Sequence, residues 1–211
     1  MDTVRLPARS MYYGTVVALI TTVNNDGSDN LTAISSIWPA DGYLCLGIGA
    51  ASQTAVNLRL RPRFAVNLPT AAMWPNVEAL SSLTGRAAVP EHKLAQYQFS
   101  EDKFAAAGLV RDVADTTATP SRVRGCPLRF DVQVESLREI DDAGEPFLVV
   151  LARIEGVQAD DTLVDAQHLA VSTDAWQPLI FSFRSYRGLS RAAAMEDEQK
   201  AAHTHQPVPT A

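Results

Sequence analysis

The sequence has few of the residues on which several classes of protein depend. Only two of its 211 residues are cysteines, Cys45 and Cys126, and neither belongs to a CxxC pair or to a cluster with histidine. We therefore predict neither a zinc site nor a redox-active pair of thiols. Aromatic residues make up 7% of the chain, and the net charge is -6. This acidic balance provides no basic surface for phosphates, so binding to nucleic acid is not expected.

Long apolar runs are missing as well. The stretch GTVVALITTV over residues 14–23 is too short to span a membrane. The polar sequence NNDGSDN follows it, where a signal peptide would have a cleavage site formed by small residues. We interpret the stretch as a strand followed by a turn, and we expect a cytoplasmic protein with no membrane partner. The apolar content of 46% is sufficient for one full-sized core.

Common catalytic motifs are also absent from the sequence. It contains no GxSxG nucleophile motif, no HxxxH pair and no phosphate-binding P-loop. Its four histidines are scattered along the chain, at positions 92, 168, 203 and 205. No catalytic side chain and no metal ligand is therefore assigned from the residues alone.

The first half of the chain has the pattern of a β protein. Residues 15–23 are rich in β-branched side chains and predict a strand. Asn, Asp and Gly at 24–27 indicate a tight turn, which joins this strand to a second one at 30–37 in a hairpin. The further elements predicted here are a turn at 39–42, a strand at 43–48, a helix at 52–60 and a strand at 64–68.

The middle of the chain has a different character, and we interpret residues 71–122 as a helical insertion. Apolar residues at helical spacing predict a helix within 73–83. A short helix is also predicted over 100–109, with Ser100 as its N-cap and Gly108 as its end.

Strands resume after the insertion, at 127–140 and 147–159, and two shorter apolar runs follow. Eight or nine short strands are expected along the whole chain, and their closure into an antiparallel barrel would remove exposed sheet edges. The prediction is one domain over residues 1–190. Residues 191–211 lack apolar periodicity, so we expect a flexible C-terminal tail.

Two polar stretches are candidates for a binding site. In NLTAISSIWP, Ser35 and Ser36 are adjacent near the end of a predicted strand. Their hydroxyl and backbone groups suit the polar edge of an aromatic ligand, whereas the simpler interpretation is an edge strand that enters a proline turn. In SQTAVNL, Ser52, Thr54 and Asn57 lie at the start of a predicted helix. They either cap the helix or help its free N–H groups hold an anion such as phosphate. The residues alone favour the simpler interpretation in both stretches.

The ordered set of these motifs resembles the flavin reductase-like family of FMN-binding split-barrel proteins. The resemblance is carried by GTVVALITTVNNDGSDNLTAISSIWP, GIGAASQTAVNLRLRPRFAVNLP, WPNVEALSSLTGR, HKLAQYQFSEDKFAAAGL, CPLRFDVQV and PLIFSFRSYRGL, and it covers nearly all of residues 11–189. Two departures occur in the insertion: TGR is followed by Ala87 and Ala88, and HKLAQYQF lacks a glycine expected before its aromatic residue. The flavin site is therefore better defined by the resemblance than the substrate site.

The resemblance implies a mainly β fold, an antiparallel Greek-key split barrel with a helical insertion, which forms a homodimer with FMN near the interface. It implies contacts of the flavin ring with one strand, a phosphate site at the following helix, and further contacts elsewhere. The implied cofactor-binding residues are Ser35, Ser36, Ile37 and Trp38 for the ring, Ser52, Gln53, Thr54 and Asn57 for the phosphate, and Asn67, Arg86, His92 and Tyr186 for the further contacts.

The implied function is that of an NAD(P)H-dependent flavin reductase, in which flavin N5 accepts hydride from NADH or NADPH. FAD or riboflavin are alternative flavin substrates, and a separate oxygenase that receives the reduced flavin is an implied partner. Two other functions stay open. The flavin would act directly on an organic substrate under the insertion, or the protein would be a non-catalytic flavin-binding electron carrier.

Overall fold

A computed structural model describes residues 3–5, 11–89, 91, 94–112, 119–141, 146–165 and 169–189. His92 and the predicted tail at 191–211 lie outside the described residues. No helix among the described residues is long and apolar enough to cross a membrane.

The described residues form sixteen strands and three α-helices. The strands are β1 Tyr13–Val16, β2 Ala18–Val23, β3 Asp29–Ile34, β4 Ile37–Ala40, β5 Tyr43–Gly49, β6 Arg63–Leu68, β7 Leu83–Thr84, β8 Gln98–Phe99, β9 Arg111–Asp112, β10 Arg122–Val123, β11 Leu128–Ile140, β12 Phe147–Ala159, β13 Val164–Asp165, β14 Ala170–Val171, β15 Leu179–Ser182 and β16 Ser185–Gly188. The α-helices are α1 Gln53–Leu60, α2 Trp74–Ala79 and α3 Lys103–Ala106, and short 3-10 helices span Ala71–Met73 and Asp161–Leu163.

Seven antiparallel strands form the central sheet, in the order β3-β2-β6-β11-β12-β5-β4. Its two edge strands, β3 and β4, are consecutive in the chain and are joined by only Ser35 and Ser36. The barrel is therefore closed at this point by two residues of covalent chain, which we call the serine link, and not by a hydrogen-bonded pair of strands. The predicted antiparallel Greek-key split barrel is confirmed.

Both faces of β2 are buried, which explains its nearly continuous apolar sequence. Because successive side chains of a strand point to opposite faces, Ala18 and Ile20 pack into the barrel core, whereas Leu19 packs into a second core. The second core contains side chains from residues 71–122, among them Val77 and Phe104. The insertion thus covers the outer face of the barrel beside β2 and β3.

The helix predicted at 52–60 is confirmed as α1, including its cap. Ser52 has extended backbone angles, and its Oγ accepts a hydrogen bond from the backbone N–H of Ala55 at 3.1 Å. The helix ends before Arg61, which precedes Pro62, because a proline disfavours the helical conformation in the residue before it.

The helices predicted in the insertion are shorter than expected. Within residues 73–83, α2 ends at Ala79, and Leu83 already belongs to β7. The apolar stripe was nevertheless informative, because Val77 and Leu80 are buried together in the second core. The predicted N-cap at Ser100 is wrong. Asp102 caps α3, and its Oδ1 accepts a hydrogen bond from the N–H of Ala105 at 3.0 Å.

Several strand boundaries also differ from the predictions. The strand predicted at 15–23 is interrupted at Val17, whose N–H donates to the carbonyl of Leu179, so that β1 joins a separate sheet with β15 and β16. The strand predicted at 30–37 ends at Ile34, before the serine link. The turn predicted at 39–42 is confined to Asp41 and Gly42, both with positive φ. The structure has more strands than the eight or nine expected, and the additional ones are mainly strands of only two residues.

Candidate functional site

A cavity with a volume of about 780 Å³, which we call the main cavity, is bordered by the serine link. Cavities of roughly 300–1,000 Å³ are typical of sites for small molecules and cofactors. Its wall combines the ends of β3 and β5, the start of α1, the loop after β7 and the first residue of α3. The polar side chains in this wall belong to Tyr12, Thr32, Ser35, Ser36, Ser52, Gln53, Thr54, Thr84, Arg86, Tyr97 and Lys103.

Two glycines of β5 shape the wall next to the serine link. The N–H of Gly47 donates a hydrogen bond to the carbonyl of Ser36 at 2.8 Å. A Cβ atom at Gly47 would lie only 3.2 Å from the Cβ of Ser36, so glycine permits this close approach. At Gly49 a Cβ atom would have no neighbour within 4 Å. The wall is therefore tight behind Ser36 and open at Gly49, where the lack of a side chain leaves room for a ligand.

The first turn of α1 forms another part of the wall. Ser52, Gln53 and Thr54 all line the main cavity. The first N–H groups of a helix have no partner within the helix, and the helix dipole places partial positive charge there. This part of the cavity therefore favours an anionic group such as a phosphate.

A buried hydrogen bond prepares Thr54 to act as a donor. The Asn30 Nδ2 donates to the Thr54 Oγ1 at 3.0 Å and to the Thr22 Oγ1 at 3.2 Å. Because a hydroxyl that accepts a bond keeps its own proton, Thr54 is left with a proton to donate. The Asn30 Oδ1 is buried without a partner among the described residues.

Asn57 supports the start of α1 from behind the cavity. It is buried, and its Nδ2 donates to the Thr22 Oγ1 and to the Asn24 Oδ1, both at 2.9 Å. Its Oδ1 accepts a hydrogen bond from the Gln53 Nε2 at 2.8 Å. The Asn57 amide is thus used within the protein, where it orients the side chain of Gln53.

The loop after β7 approaches β3 closely because it contains Gly85. A Cβ atom at this position would lie 2.5 Å from the Asn30 Oδ1 and 3.2 Å from the Gln53 Cβ. The turn is fixed further by the N–H of Arg86, which donates to the Thr84 Oγ1 at 3.1 Å. Arg86 itself lines the main cavity.

Lys103 is a residue of the cavity wall that the sequence analysis missed. It begins α3, and only 5% of its surface is exposed. Burial lowers the pKa of Lys103 to about 8. A lysine in the first turn of a helix is unfavourable beside the positive end of the dipole. The unfavourable position of a lysine at the start of a helix is the feature of the sequence that could have identified Lys103 as a site residue.

Three aromatic residues at the cavity, Tyr12, Tyr97 and Phe181, were missed as well. Tyr12 and Phe181 both line it, and their rings meet edge to face with centroids 5.6 Å apart. The ring of Tyr186, which does not line the cavity, also contacts the ring of Phe181, with centroids 5.5 Å apart. Burial, and to a lesser extent Glu78, raise the pKa of Tyr186 to about 12. Tyr186 therefore supports Phe181 from outside the cavity wall.

The structure brings six of the predicted site residues together in the wall of the main cavity and leaves five outside it. The six are Ser35, Ser36, Ser52, Gln53, Thr54 and Arg86. The five are Ile37, Trp38, Asn57, Asn67 and Tyr186. Ile37 packs in the barrel core, whereas Trp38 is 57% exposed. Contacts of these residues with a cofactor, and any role of His92, stay predictions.

Asn67 has a structural role in the fold. It is fully buried, its Nδ2 donates to the carbonyl of Leu19 at 3.0 Å, and its Oδ1 accepts from the N–H of Val123 at 2.8 Å. Its side chain thereby connects β6 to β2 and to β10 of the insertion.

Comparison with known proteins agrees with this architecture. The chain matches the family described as flavin reductase like domain over residues 9–190. It is 33% identical, over 183 residues and 86% of each chain, to the uncharacterized protein YdfE of Bacillus subtilis. Flavoredoxin of Desulfovibrio vulgaris has a similar structure, with a TM-score of 0.73, 18% identity, and coverage of 92% of this chain and 97% of that one.

A second solved structure of similar fold is nitrilotriacetate monooxygenase component B from Bacillus cereus. Its TM-score is 0.72 at 11% identity, and the match covers 92% of this chain and all of that chain. Both structural neighbours are distant in sequence and support the split-barrel fold alone. The match over residues 9–190 spans most of the sequence, and the chain belongs to the flavin reductase-like family.

Proposed function

We propose that the protein is an NAD(P)H-dependent flavin reductase that binds FMN in the main cavity. The observation that carries the proposal is the polarity of this cavity. At one end of the cavity, the first turn of α1 and Lys103 favour an anion. At the other end, the wall consists of backbone and small residues at the serine link and at Gly49. FMN has the matching division into a phosphate and a flat ring.

The residues present fit this cofactor. Ser52 and Thr54 belong to the turn that would hold the phosphate, and Lys103 would supply a positive charge beside it. The serine link would hold the polar edge of the ring through its hydroxyl and backbone groups, as the resemblance to the family implies. The open position at Gly49 leaves space that a side chain would otherwise fill.

The bound flavin would supply the redox chemistry, which is hydride acceptance from a nicotinamide. The protein would bind and orient the cofactor, and the aromatic side chains of Tyr12 and Phe181 would limit access of water from their side of the cavity. No side chain of the wall is required as a catalytic acid or base in this proposal, which agrees with the lack of such a motif in the sequence.

We further propose a homodimer, with a second copy of the chain over the outer face of β4, β5 and β12. On this face Trp38, Cys45 and Leu151 are aligned across the three strands, and Val149 and Phe147 follow along β12. Trp38 and Phe147 are 57% and 42% exposed. Gly47 and Gly49 belong to the same face and also line the main cavity. A second copy would therefore cover this apolar surface and, at the same time, narrow the opening of the main cavity.

The choice between NADH and NADPH, the acceptance of FAD or riboflavin, and a cytoplasmic location stay predictions. One structural neighbour is named as component B of a monooxygenase, which supports transfer of reduced flavin to a separate oxygenase. A direct reaction with an organic substrate is the second candidate. It is favoured by Ala88 and Val89, which line the main cavity in the segment that departs from the family pattern.

The proposed function is tested with the purified protein, FMN, and either NADH or NADPH. Quenching of flavin fluorescence measures binding, and the loss of nicotinamide absorbance measures reduction. Binding with rapid oxidation of one nucleotide and release of reduced flavin supports the flavin reductase. Tight retention of FMN with slow turnover of free flavin favours the second candidate. Lack of flavin binding would contradict both.

A further inference from the structure

The hairpin of β15 and β16 is joined by a two-residue turn with an unfavourable backbone. Phe183 and Arg184 form this turn, with φ angles of 44° and 68°. Both central residues of such a turn need a positive φ, so asparagine, aspartate and glycine are preferred there. The β4–β5 hairpin follows this preference, because its turn consists of Asp41 and Gly42, with φ angles of 41° and 80°. A turn of phenylalanine and arginine is strained by comparison.

The strained turn exposes a large aromatic side chain and a cation, and we call Phe183 and Arg184 the hairpin tip. Phe183 is 59% exposed. Arg184 is exposed as well, and no carboxylate among the described residues lies within ion-pair distance of it. Little packing and no ion pair within the described residues therefore offset the strain. Strained residues other than glycine are common where a protein holds a ligand.

The hairpin tip is held beside the wall of the main cavity. The N–H of Phe183 donates a hydrogen bond to the carbonyl of Tyr12 at 2.7 Å, and Tyr12 lines the cavity. Phe181, two residues before the tip, lines the cavity as well. The backbone of the tip is thus bonded to one aromatic residue of the cavity wall and follows directly after another.

This part of the wall belongs to the end of the cavity that the serine link borders. β15 begins at Leu179, whose carbonyl accepts a hydrogen bond from the N–H of Val17, just before β2. At this end of β2, Ala18 is aligned with Ile34, the last residue of β3 before the serine link. The first turn of α1 is bonded instead to Asn30, near the other end of β3. The hairpin tip therefore lies on the side of the proposed flavin ring, and not on the side of the proposed phosphate site.

The tip offers the two interactions that suit an adenine nucleotide. An exposed aromatic ring provides a surface on which a base stacks, and the arginine guanidinium pairs well with phosphate. In the proposed function the nicotinamide meets the flavin ring inside the cavity, so the adenosine half of the dinucleotide extends past the wall at this end. We propose that the hairpin tip binds this half of NADH or NADPH, with Phe183 against the adenine and Arg184 at the phosphates. The inference rests on the proposed function and adds a second binding site for its substrate.

The test gives the tip the residues that its backbone favours. The variant Phe183→Asn/Arg184→Gly removes both side chains and relieves the strain, so it should unfold about 2–8 °C higher than the wild type. The KM for the dinucleotide should nevertheless rise about ten-fold with kcat unchanged, because lost stacking weakens the ground state and the transition state equally. Reduced nicotinamide mononucleotide lacks the adenosine half. Its KM should exceed that of the dinucleotide in the wild type and should be the same in the variant.

Arg187→Gln is the matched control. Arg187 is exposed on the same hairpin and is aligned with Ile180, so it lies on the opposite face from Phe181. This variant also removes one positive charge, but it should keep the wild-type KM for the dinucleotide. Phe183→Leu and Arg184→Gln, measured singly, separate stacking from charge and give the same decision if the double variant does not fold.

The outcomes separate this inference from the proposed function. An unchanged KM for the dinucleotide in the double variant would overturn the inference and leave the flavin reductase intact. An equal rise of KM for the mononucleotide would also overturn it, because the tip would then act on the nicotinamide end. A lower unfolding temperature, or conversion of a wild-type dimer to a monomer, would assign the tip a structural role and overturn it too. Failure of the wild type to oxidise NADH and NADPH in the presence of FMN would refute the proposed function itself.

Discussion

The side-chain amide of Asn30 donates a hydrogen bond to the hydroxyl of Thr54, 3.0 Å away and 24 positions later in the chain. This bond connects β3, an edge of the split barrel, to the first turn of α1. It orients the Thr54 hydroxyl so that the turn offers a side-chain donor together with its free N–H groups. The carbonyl oxygen of the same asparagine lies beside Gly85 and has no partner among the described residues, so Asn30 contacts three elements of the cavity wall.

Replacement of the Thr54 hydroxyl tests this relationship. Thr54→Val keeps the shape of the side chain but leaves the Asn30 amide without one of its acceptors, which should destabilise the protein by about 1 kcal/mol. It should also weaken FMN binding, since a donor to the phosphate is lost. Thr54→Ser retains the hydroxyl and serves as the control. Chemical denaturation and fluorescence titration measure the two effects, and unchanged FMN affinity in Thr54→Val would contradict the proposed phosphate site.

Gly85 is expected to tolerate no side chain. In Gly85→Ala the new methyl group would overlap the Asn30 Oδ1, so the loop must move away from β3, at a cost of about 1–3 kcal/mol. FMN affinity should fall together with the free energy of unfolding. Gly49→Ala is the comparison, because its methyl group would meet no protein atom within 4 Å and should leave stability unchanged. Equal stability of the two variants would show that the close approach at Gly85 is not required.

The preference for FMN over riboflavin should depend on pH. Between about pH 6 and pH 8 the phosphate is a dianion and Lys103 is charged, so binding is strongest. Above about pH 8 the free protein loses the lysine proton and must regain it when FMN binds, so the preference should decline. The carboxylates of Asp26, Asp29 and Glu101 line a second, smaller cavity, which Lys103 also borders. A preference in Lys103→Met that declines as steeply as in the wild type would exclude the lysine as the cause.

The flavin-free Lys103→Met variant should be more stable than the wild-type protein. The pKa of Lys103 is lowered from 10.5 to about 8, so below about pH 8 the fold must bury a charge that is freely solvated in the unfolded chain. Stability of the wild type should rise as the pH increases from about 8 to 10.5, because the unfolded chain then binds more protons than the folded one. Urea denaturation near neutral pH should show a gain of up to about 3 kcal/mol in the variant. A loss of stability would indicate that the lysine is structural.

A charge on the outer face of β12 should prevent dimer formation. Val149 is aligned with Gly47 on the proposed interface, and a glutamate there would be buried without a partner in the dimer. Light scattering should therefore detect a dimer in the wild type and a monomer in Val149→Glu. Val157→Glu lies at an exposed position farther along the same strand and is the control. A wild-type monomer would contradict the proposed interface directly.

Local sequence signals predicted the elements that are stabilised locally. The turn at 24–27 and the β-branched residues beside it predicted the β2–β3 hairpin, and Ser52 predicted the start of α1. The closed barrel was predicted from the resemblance of the ordered motifs to the family, because no single segment of the chain specifies closure. Strands of two residues, such as β7 and β8, have no periodicity to detect, because they form only where tertiary contacts bring two segments together.

The candidate site was predicted only where a helix cap or a motif marked it. Ser52 and Thr54 were found because capping residues have a recognisable position relative to a helix. Lys103 was missed because a lysine near a helix start is usually solvated, and its burial depends on the packing of Phe104 and on the pairing of Asp102 with Arg111. The break of a predicted strand at the serine link was missed for a related reason, since the break is imposed by closure of the barrel.

The serine link is the position where the strand pairing of the barrel is interrupted. Elsewhere in the central sheet, neighbouring strands cannot separate unless hydrogen bonds between them are broken, but β3 and β4 share only a covalent connection of two residues. The width of the opening is therefore set by the backbone torsions of Ser35 and Ser36 and by the hydrogen bond from the Gly47 N–H to the Ser36 carbonyl, and not by a pair of strands. Within the described residues, the protein therefore carries its cavity where the two edge strands of the central sheet are joined by the chain and not by strand pairing.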